Sequence, residues 1–586
     1  MKRKKKSGAA ILWIMNVAGR VKYILAVMVV IEIALSVSAV YNAMLYKGIV
    51  NSAIAKDWSG FRFHAVAIVL LVSAQILASI LFSYLSEVAR TTLENRCKTR
   101  LFNTLFENDY AKVTATHSGE WMNRLTSDTA VVAGGFVDIL PGALGLVTQI
   151  IAGVIALLSI IPGAVLIILP GGMLLIGLTL VFRKKMKELH KRIQEADGLL
   201  RVLMQERLES MLVIRAFSQE KRTLEMAGER MRNHKAARMH RKIFGSFAVL
   251  GYSVVIRGVY LGGAIYCGLG ILNGVLTYGD FTAVLQLINQ VSTPFASVSS
   301  YFPQYFAMVA SAERLMEAEG YERSKNLNQD EESCRKNRQF ESIGIRDVSF
   351  TYQPPVKSSG DDVPRMPLVL KDINLEVGRG EYVAFVGPSG CGKSTVLKLL
   401  MGLYPADKGE LYLKVDGQKK DLAENCRGLY AYVPQGNQLV SGTIRDILSF
   451  GDEKAEKDDE GLWKALEIAC ADEFIRSLET GLDTQLGERG AGLSEGQMQR
   501  IAIARAVYSS HPVLLLDEAT SSLDEKTEAK LLDNLRAMTD KTVIIVTHRP
   551  AVLSIVDSAV DFGKMGSGNG VEKEMAKTFE GRRFDV

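Results

Sequence analysis

The residues from Gly387 to Ser394 read Gly-Pro-Ser-Gly-Cys-Gly-Lys-Ser, which fits the phosphate-binding pattern G-x-x-x-x-G-K-S/T. Glycines let backbone amides approach phosphate oxygens, while the Lys393 ammonium can reach the β- and γ-phosphates and the Ser394 hydroxyl can hold Mg²⁺. The flanking residues predict a strand at 382–386 and a helix at 395–400, whose amino end adds a positive dipole. The stretch therefore predicts a nucleoside triphosphate site with these ligands: Gly387, Pro388, Ser389, Gly390, Cys391, Gly392, Lys393, Ser394 and Thr395.

Two adjacent carboxylates follow a second apolar run. The residues 513–516, Val-Leu-Leu-Leu, are typical of a buried parallel strand, and Asp517 and Glu518 come directly after them. Asp517 can orient Mg²⁺, directly or through water. Glu518 lies where a carboxylate can polarise a water molecule that attacks the γ-phosphate. We interpret the pair as a metal ligand and a general base.

The composition indicates a membrane protein with two or three domains. The chain has 586 residues, of which 48% are hydrophobic, and a mean hydropathy of +0.11, with the apolar excess in the first half. The net charge of +6 comes from basic residues clustered at the N-terminus and in a few loops, which favours membrane topology over nucleic-acid binding. The six cysteines are widely spaced and show no metal-binding pattern.

Six apolar stretches are long enough to predict transmembrane helices, which need about 20 residues each. They are 24–46, 66–85, 139–161, 164–182, 247–272 and 281–308. Basic residues at the N-terminus and after the second and fourth spans place the N-terminus, two long polar loops and the second half of the chain in the cytosol. The polar loops, about 87–128 and 183–242, are predicted to extend the membrane helices, and 11–17 predicts a helix on the inner leaflet.

Three ionisable residues lie within or near these spans: Glu32, Asp138 and Arg257. Charges inside a membrane usually face a cavity or a partner. Two interpretations stay open, a polar substrate cavity and pairing between helices.

The remaining sequence divides into a linker and a soluble domain. The predicted boundaries are 1–320 for the transmembrane domain, 321–340 for a polar linker and 341–586 for an α/β domain. Within the last, 353–366 and 451–460 are predicted surface loops because they are rich in Pro, Gly, Ser and acidic residues.

Several further motifs are similar to those of ATP-binding cassette (ABC) transporters of the six-helix exporter architecture, and they follow the family order over 343–549. They are Tyr352 in Phe-Thr-Tyr, Gln435 in Tyr-Val-Pro-Gln, the residues Leu-Ser-Glu-Gly-Gln at 493–497, Ser-Ser-Leu-Asp at 521–524 and His548 in Val-Thr-His-Arg. The stretch 487–490 resembles the exporter segment that contacts the coupling loops. In the first half, 119–128 and 209–217 resemble the two coupling loops, and 311–314 resembles the end of the sixth span. At 557–570 the chain departs from the family, since it reads as irregular where the family has a strand.

The resemblance implies a fold, an activity and a site. The fold is an all-α six-helix transmembrane domain followed by an α/β P-loop NTPase domain. The activity is ATP-driven export of a drug, lipid or peptide, with import, or one half of a heterodimer, as alternatives. An ATP-gated channel and a soluble ATPase are more distant ones. Tyr352 would stack on adenine, Ser494, Gly496 and Gln497 would bind the ATP of a second subunit, Gln435 would sense Mg²⁺ and water, and His548 would contact the γ-phosphate.

The partners follow from the same family. We expect ATP and Mg²⁺, a lipid bilayer, and a second half-transporter, with a homodimer favoured because every motif is intact; nucleic acid is not expected. The expected location is a bacterial plasma membrane, which the chain crosses several times.

Overall fold

A computed structural model describes residues 2–116, 118–321, 323–324, 330–352, 367–436, 439–450, 457–487, 492–563 and 573–575. The chain divides into two compact units. The first comprises 1–102 and 122–319, and the second comprises 103–121 and 320–586. The short segment 103–121 thus belongs with the second half of the chain although it lies between two membrane-domain helices in sequence.

The first unit is built from helices. They are α1 (Lys2–Ala18), α2 (Val21–Ile54), α3 (Trp58–Glu107), α6 (Thr129–Ile160), α7 (Val165–Glu209), α8 (Met211–Ala216), α9 (Glu220–Leu272) and α10 (Tyr278–Glu319), with a π-helical turn at Arg124–Asp128. Each predicted span falls on one of the long helices, and the predicted helical transmembrane domain is confirmed. Within the described residues, four segments are long and apolar enough to cross a membrane: Val21–Ile54, Trp58–Glu107, Ser118–Ile160 and Glu220–Leu272.

Several of these helices are longer than a bilayer requires. The 50 residues of α3 extend about 75 Å at 1.5 Å per residue, against a hydrocarbon core of about 30 Å. α7 and α9 have 45 and 53 residues. The polar segments predicted as helical extensions of the spans are therefore continuous with them.

Charged side chains join the helices of this unit. Arg90 of α3 donates to both carboxylate oxygens of Asp138 on α6, at 3.0 and 2.8 Å, which agrees with pairing between helices as the interpretation of Asp138. The buried Asp128 accepts from Ser311 at 2.9 Å and from Arg314 Nε at 2.8 Å. Two stretches that resemble family motifs thus contact each other.

The described residues of the second unit form three sheets. Its helices are α4 (Tyr110–Thr114), α5 (Ser118–Asn123, which reaches the unit boundary), α11 (Glu331–Asn337), α12 (Lys393–Leu400), α13 (Leu422–Asn425), α14 (Ile444–Leu448), α15 (Asp459–Ile468), α16 (Asp472–Arg476), α17 (Glu495–Tyr508) and α18 (Glu525–Arg536). Its strands are β1 (Ser342–Phe350), β2 (Leu370–Gly378), β3 (Tyr382–Val386), β4 (Lys408–Val415), β5 (Gln418–Asp421), β6 (Tyr430–Val433), β7 (Gly442–Thr443), β8 (Gln485–Leu486), β9 (Val513–Asp517), β10 (Thr542–Val546), β11 (Ser558–Asp561) and β12 (Lys573–Met575).

The central sheet positions the site. Its strand order is β12-β11-β3-β10-β9-β6, and all its neighbouring strands are parallel except β11 and β12. β3, β9 and β10 are buried at every residue, which explains why they are continuous apolar runs rather than alternating ones. Their carboxyl ends meet at one edge of the sheet, where ligands of open α/β sheets bind. A four-stranded antiparallel sheet, β2-β1-β4-β5, and the β7-β8 pair complete the unit.

The predicted linker 321–340 contains α11, which the Asp330 side chain caps by accepting from Ser333 N. One segment differs from the sequence-based expectation. The expectation of irregular structure at 557–570 is wrong at its start, because β11 pairs in parallel with β3 there. β11 has only four residues, with Ser and Asp at its ends, so its apolar run is too short to predict a strand from sequence. Its extended conformation depends on the pairing with β3. Residues 353–366, 451–456, 488–491 and 564–570, which include parts of three predicted loops and of the stretch 487–490, lie outside the described residues.

Candidate active site

The phosphate loop connects the end of β3 to the start of α12. Three of its glycines have positive φ: 136° at Gly387, 80° at Gly390 and 100° at Gly392. A Cβ on Gly392 would lie 2.6 Å from Leu370 Cδ2, so both the backbone conformation and the available space require glycine there. The loop therefore has the close-turned backbone that the sequence pattern predicts.

The ammonium of Lys393 lies inside this loop. The residue is 5% exposed, and Nζ donates to the carbonyl oxygens of Gly387 at 2.7 Å and Pro388 at 2.8 Å. It lies 3.4 Å from His548 Nε2 and 3.7 Å from Cys391 Sγ. A positive charge thus points into the centre of a glycine-rich loop, which is the arrangement needed to hold a phosphate chain.

Oxygen atoms converge beside the loop. Ser394 Oγ donates to Asp517 Oδ1 at 3.0 Å, and the Tyr432 hydroxyl donates to Asp517 Oδ2 at 3.2 Å. Burial raises the pKa of the Asp517 carboxyl, the hydrogen bonds from Ser394 and Tyr432 oppose that rise, and the charge of Glu518 adds to it. A hydroxyl beside a carboxylate is a donor set that suits Mg²⁺, which binds few protein ligands together with phosphate oxygens. The residues present therefore fit this ion.

Glu518 lies at the centre of the predicted catalytic residues. Its Oε2 accepts from Gln435 Nε2 at 2.8 Å, and its Oε1 lies 3.4 Å from His548 Nε2. Glu518 has a φ of +52°, which is rare for a residue with a side chain, and its backbone N donates to Val546 O at 3.0 Å. Backbone held in such a conformation is common at functional sites. The structure thus joins Gln435 to the carboxylate that is predicted to act as the base, a contact that the sequence did not indicate.

Tyr352 lies next to the loop in a cluster of aromatic rings. Its hydroxyl is 3.1 Å from Thr395 Oγ1, and its ring packs edge to face on Phe350 and Tyr404, with centroids 4.9 and 5.3 Å apart. Tyr404 in turn packs on Tyr110 of α4, at 5.9 Å. An aromatic chain therefore runs from the predicted adenine-stacking residue to the short helix α4, which lies in the predicted polar loop 87–128.

The predicted ATP-binding residues of the Leu-Ser-Glu-Gly-Gln motif, at 494–497, lie at the start of α17. Ser494 caps the helix by accepting from Gln497 N at 3.3 Å, and Gln497 Oε1 accepts from Ser494 N at 2.9 Å. A Cβ on Gly496 would lie 2.9 Å from Ser522 O. Within the described residues, no hydrogen bond joins Ser494 or Gln497 to the phosphate loop. In the described part of the chain, Ser494 and Gln497 instead hydrogen-bond to each other in the first turn of α17.

Two residues in the site were missed by sequence reasoning. Gln499 is 2% exposed and donates to Ser521 Oγ at 3.0 Å while accepting from Ser522 N at 3.1 Å. Arg549 donates to Ser521 O at 2.7 Å, Leu523 O at 2.9 Å and Glu528 Oε2 at 2.7 Å. Together they hold the 521–524 turn. Adjacency to His548 was a signal for Arg549, but no spacing rule singles out Gln499.

Comparison with known protein families gives two matches along the chain. Residues 23–295 match the model of the ABC transporter transmembrane region, and residues 370–521 match the ABC transporter model. The first match lies in the membrane unit and the second in the unit that contains the phosphate loop.

Curated relatives and a solved structure agree with this assignment. The chain is 30% identical to ATP-binding cassette sub-family B member 10, mitochondrial, of Mus musculus, over 82% of this chain and 67% of that protein. It is 28% identical to the ATP-dependent lipid A-core flippase of Vibrio vulnificus, over 94% and 91% of the two chains. It is also 28% identical to ABC transporter B family member 1 of Dictyostelium discoideum, over 90% of this chain but only 57% of that longer protein.

The fold agrees with a solved bacterial Atm1-family ABC exporter with ATP bound, at a TM-score of 0.75 and 22% identity, covering 96% of both chains. The two matched domains, these relatives and the geometry of the phosphate loop agree. The chain belongs to the ABC transporter family.

Proposed function

We propose that this chain is one half of an ATP-driven exporter that moves a hydrophobic or amphipathic molecule out of the cytosol. The observation that carries the proposal is the cluster of Lys393, the Ser394–Asp517 pair and the Glu518–His548 pair at one sheet edge. This cluster occurs in a chain that also has helices of transmembrane length. One polypeptide therefore contains both the residues needed for ATP hydrolysis and the helices needed to cross a membrane.

The residues of the cluster divide the work of hydrolysis. Lys393 and the loop amides hold the β- and γ-phosphates, with Tyr352 against the adenine. Ser394 and Asp517, with Gln435 nearby, would hold Mg²⁺, which would neutralise phosphate charge when bound. Glu518 accepts a proton from the attacking water, and its contact with Gln435 keeps the carboxylate oriented.

His548 completes this cluster from the end of β10. Its Nε2 lies between Lys393 and Glu518, at 3.4 Å from each, so it can donate a hydrogen bond to charge that develops on the γ-phosphate.

Coupling to the membrane helices would use the aromatic chain. Tyr110 and Thr114 of α4 both contact Tyr404, by ring packing and by a hydroxyl pair 3.3 Å apart, and Tyr404 contacts Tyr352. A nucleotide that stacks on Tyr352 would therefore be linked to α4 through one intervening ring, that of Tyr404. ATP can shift the transporter only by binding one conformation more tightly than another.

A second copy of the chain is part of the proposal. Ser494, Gly496 and Gln497 match the family motif that binds the ATP of a second subunit, so they would bind the ATP of the partner, and two chains would enclose two nucleotides. The loop around α8 also exposes Leu212 by 82% and Phe217 by 72%, apolar side chains that a partner would cover. A homodimer fits the intact motifs; a heterodimer and an importer are the alternatives. The membrane is proposed to be a bacterial plasma membrane.

Transport into sealed proteoliposomes tests the function. With ATP outside, only chains whose nucleotide domains face outward are active, so an exporter accumulates a fluorescent amphipathic dye inside, whereas an importer releases preloaded dye. The Glu518→Gln variant is the control and should bind ATP without moving dye. Dye movement in that variant at the wild-type rate would instead indicate an ATP-gated channel and would contradict the proposal.

A further inference from the structure

Glu32 is a carboxylate of the membrane unit that has no basic partner among the described residues. We propose that it binds the positive charge of the transported molecule, so that the substrate class is amphipathic organic cations. This inference rests on the proposed export function. Glu32 lies eight residues into the span predicted at 24–46, which is about 12 Å along the helix and near the middle of a hydrocarbon core of about 30 Å.

Two other acidic residues within or near the predicted spans are neutralised by neighbours. Asp138 on α6 is paired with Arg90 at 2.8 Å, and Asp280 near the start of α10 is paired with Lys47 at 2.6 Å. In the part of the chain that the structure describes, Glu32 has neither an ion pair nor a hydrogen bond. An isolated negative charge is costly at this depth, so a cation from outside the protein would satisfy a need that the protein leaves open.

Two glycines of α6 make room for the side chains at this position. A Cβ on Gly145 would lie 2.5 Å from Glu32 Cγ, and one on Gly142 would lie 2.1 Å from the Tyr301 hydroxyl of α10. Residues 138, 142 and 145 share one face of α6 because their spacing is four and three. α2 and α10 therefore bring a carboxylate and an aromatic ring to the same glycine face, and a carboxylate with a tyrosine ring is a good receptor for an organic cation.

Further acceptors continue along the same helix faces. Gln290 of α10 donates to Ala39 O of α2 at 2.7 Å; because that carbonyl can only accept, the amide orientation is fixed and Oε1 is left over. Gln290 Oε1 and Asn42 Oδ1 are buried and have no hydrogen-bond partner among the described residues. Glu32, Ala39 and Asn42 share one face of α2, since their spacing is seven and three.

The polar track, defined as Glu32, Asn42, Gln290 and Tyr301, is thus rich in acceptors and carries one negative charge. It extends about 15 Å along α2, from residue 32 to residue 42. Its one charge is negative, and its two amide oxygens have no donor among the described side chains, so the track favours a cation with hydrogen-bond donors over an anion.

Binding of tetraphenylphosphonium tests the inference without ATP. The full chain is placed in lipid nanodiscs, and labelled probe is measured by equilibrium dialysis against empty discs. Glu32→Gln should weaken binding at least tenfold, and Glu32→Asp should retain part of the affinity. Glu225→Gln, which removes an exposed carboxylate on α9, is the matched control and should bind as the wild type does. Nucleotide binding and elution profile verify that each variant is folded.

Three results would overturn the inference. The first is wild-type binding no stronger than that of empty discs. The second is Glu32→Gln binding within twofold of the wild type. The third is an equal loss of binding of tetraphenylborate, an anion of the same shape, which would indicate altered packing rather than lost charge. If the wild type does not transport dye but binds the probe in a Glu32-dependent way, only the export function is wrong. If the wild type transports dye but Glu32→Gln binds the probe as the wild type does, only the assignment of Glu32 as the cation site is refuted.

Discussion

Removal of the Arg549 side chain should destabilise the second unit because it leaves a buried carboxylate without its cation. The Glu528 side chain is 3% exposed and that of Arg549 is 32% exposed, and their charged atoms are 2.7 Å apart. Arg549 also donates to the carbonyl oxygens of Ser521 and Leu523. Arg549→Ala therefore unpairs one buried charge and frees the 521–524 turn together.

The loss of unfolding free energy in Arg549→Ala should lie between two limits. Removing one partner of a fully buried pair costs about 3–5 kcal/mol, whereas an exposed pair is worth about 0–1 kcal/mol. Water can partly replace Arg549 because one third of its side chain is exposed, so we expect about 2–3 kcal/mol. At about 2–4 °C per kcal/mol for a domain of this size, the melting temperature should fall by roughly 5–10 °C.

Thermal unfolding of the full chain in nanodiscs measures this change, with hydrogen exchange at 520–528 as the local readout. Arg549→Ala/Glu528→Ala should recover at least half of the loss, because the unpaired charge is removed with its partner. Lys336→Ala, which breaks an exposed pair with Glu332, is the control and should melt as the wild type does. A shift below 2 °C for Arg549→Ala, or a double variant as unstable as the sum of the two single ones, would refute the reasoning.

Three further predictions concern the nucleotide site and its coupling. Ser394→Ala should raise the Mg²⁺ concentration for half-maximal ATP hydrolysis at least tenfold, since the hydroxyl next to Asp517 is lost; an unchanged Mg²⁺ titration would contradict this. His548→Ala should lower turnover about 100-fold while ATP binding changes little, as measured by steady-state hydrolysis and nucleotide titration. Tyr404→Leu should abolish stimulation of hydrolysis by transported dye, whereas Tyr404→Phe, which keeps the ring, should preserve it; equal stimulation in both would exclude the aromatic chain as the coupling route.

The sequence was sufficient where function depends on a local pattern. The phosphate loop needs glycines and a lysine at fixed spacing, so Gly392 and Lys393 could be assigned without a structure. Asp517 and Glu518 could be placed at the end of a strand because a buried parallel strand is apolar and its end is marked by the first charged residue, Asp517. Four of the six predicted spans lie on helices of the described residues that are long and apolar enough to cross a membrane, because a bilayer imposes both length and hydropathy.

Contacts between distant segments could not be predicted. Tyr404 links α4 to Tyr352 across nearly 300 residues of sequence, and no periodicity connects them. Gln499 holds the 521–524 turn from inside α17, where its side chain reads as one more polar position on a helix. β11 was missed because its pairing with β3, rather than its own composition, makes it a strand.

The most direct test of the account is ATP hydrolysis by this chain purified alone in lipid, measured beside its Glu518→Gln variant. The account predicts Mg²⁺-dependent turnover in the wild type and loss of at least about 100-fold in the variant, which should still bind ATP, because only the proton acceptor is removed. Wild-type turnover that persists in Glu518→Gln would contradict the assignment of Glu518 as the base. Absence of turnover in both would contradict a self-sufficient homodimer and would indicate that a different chain completes the site.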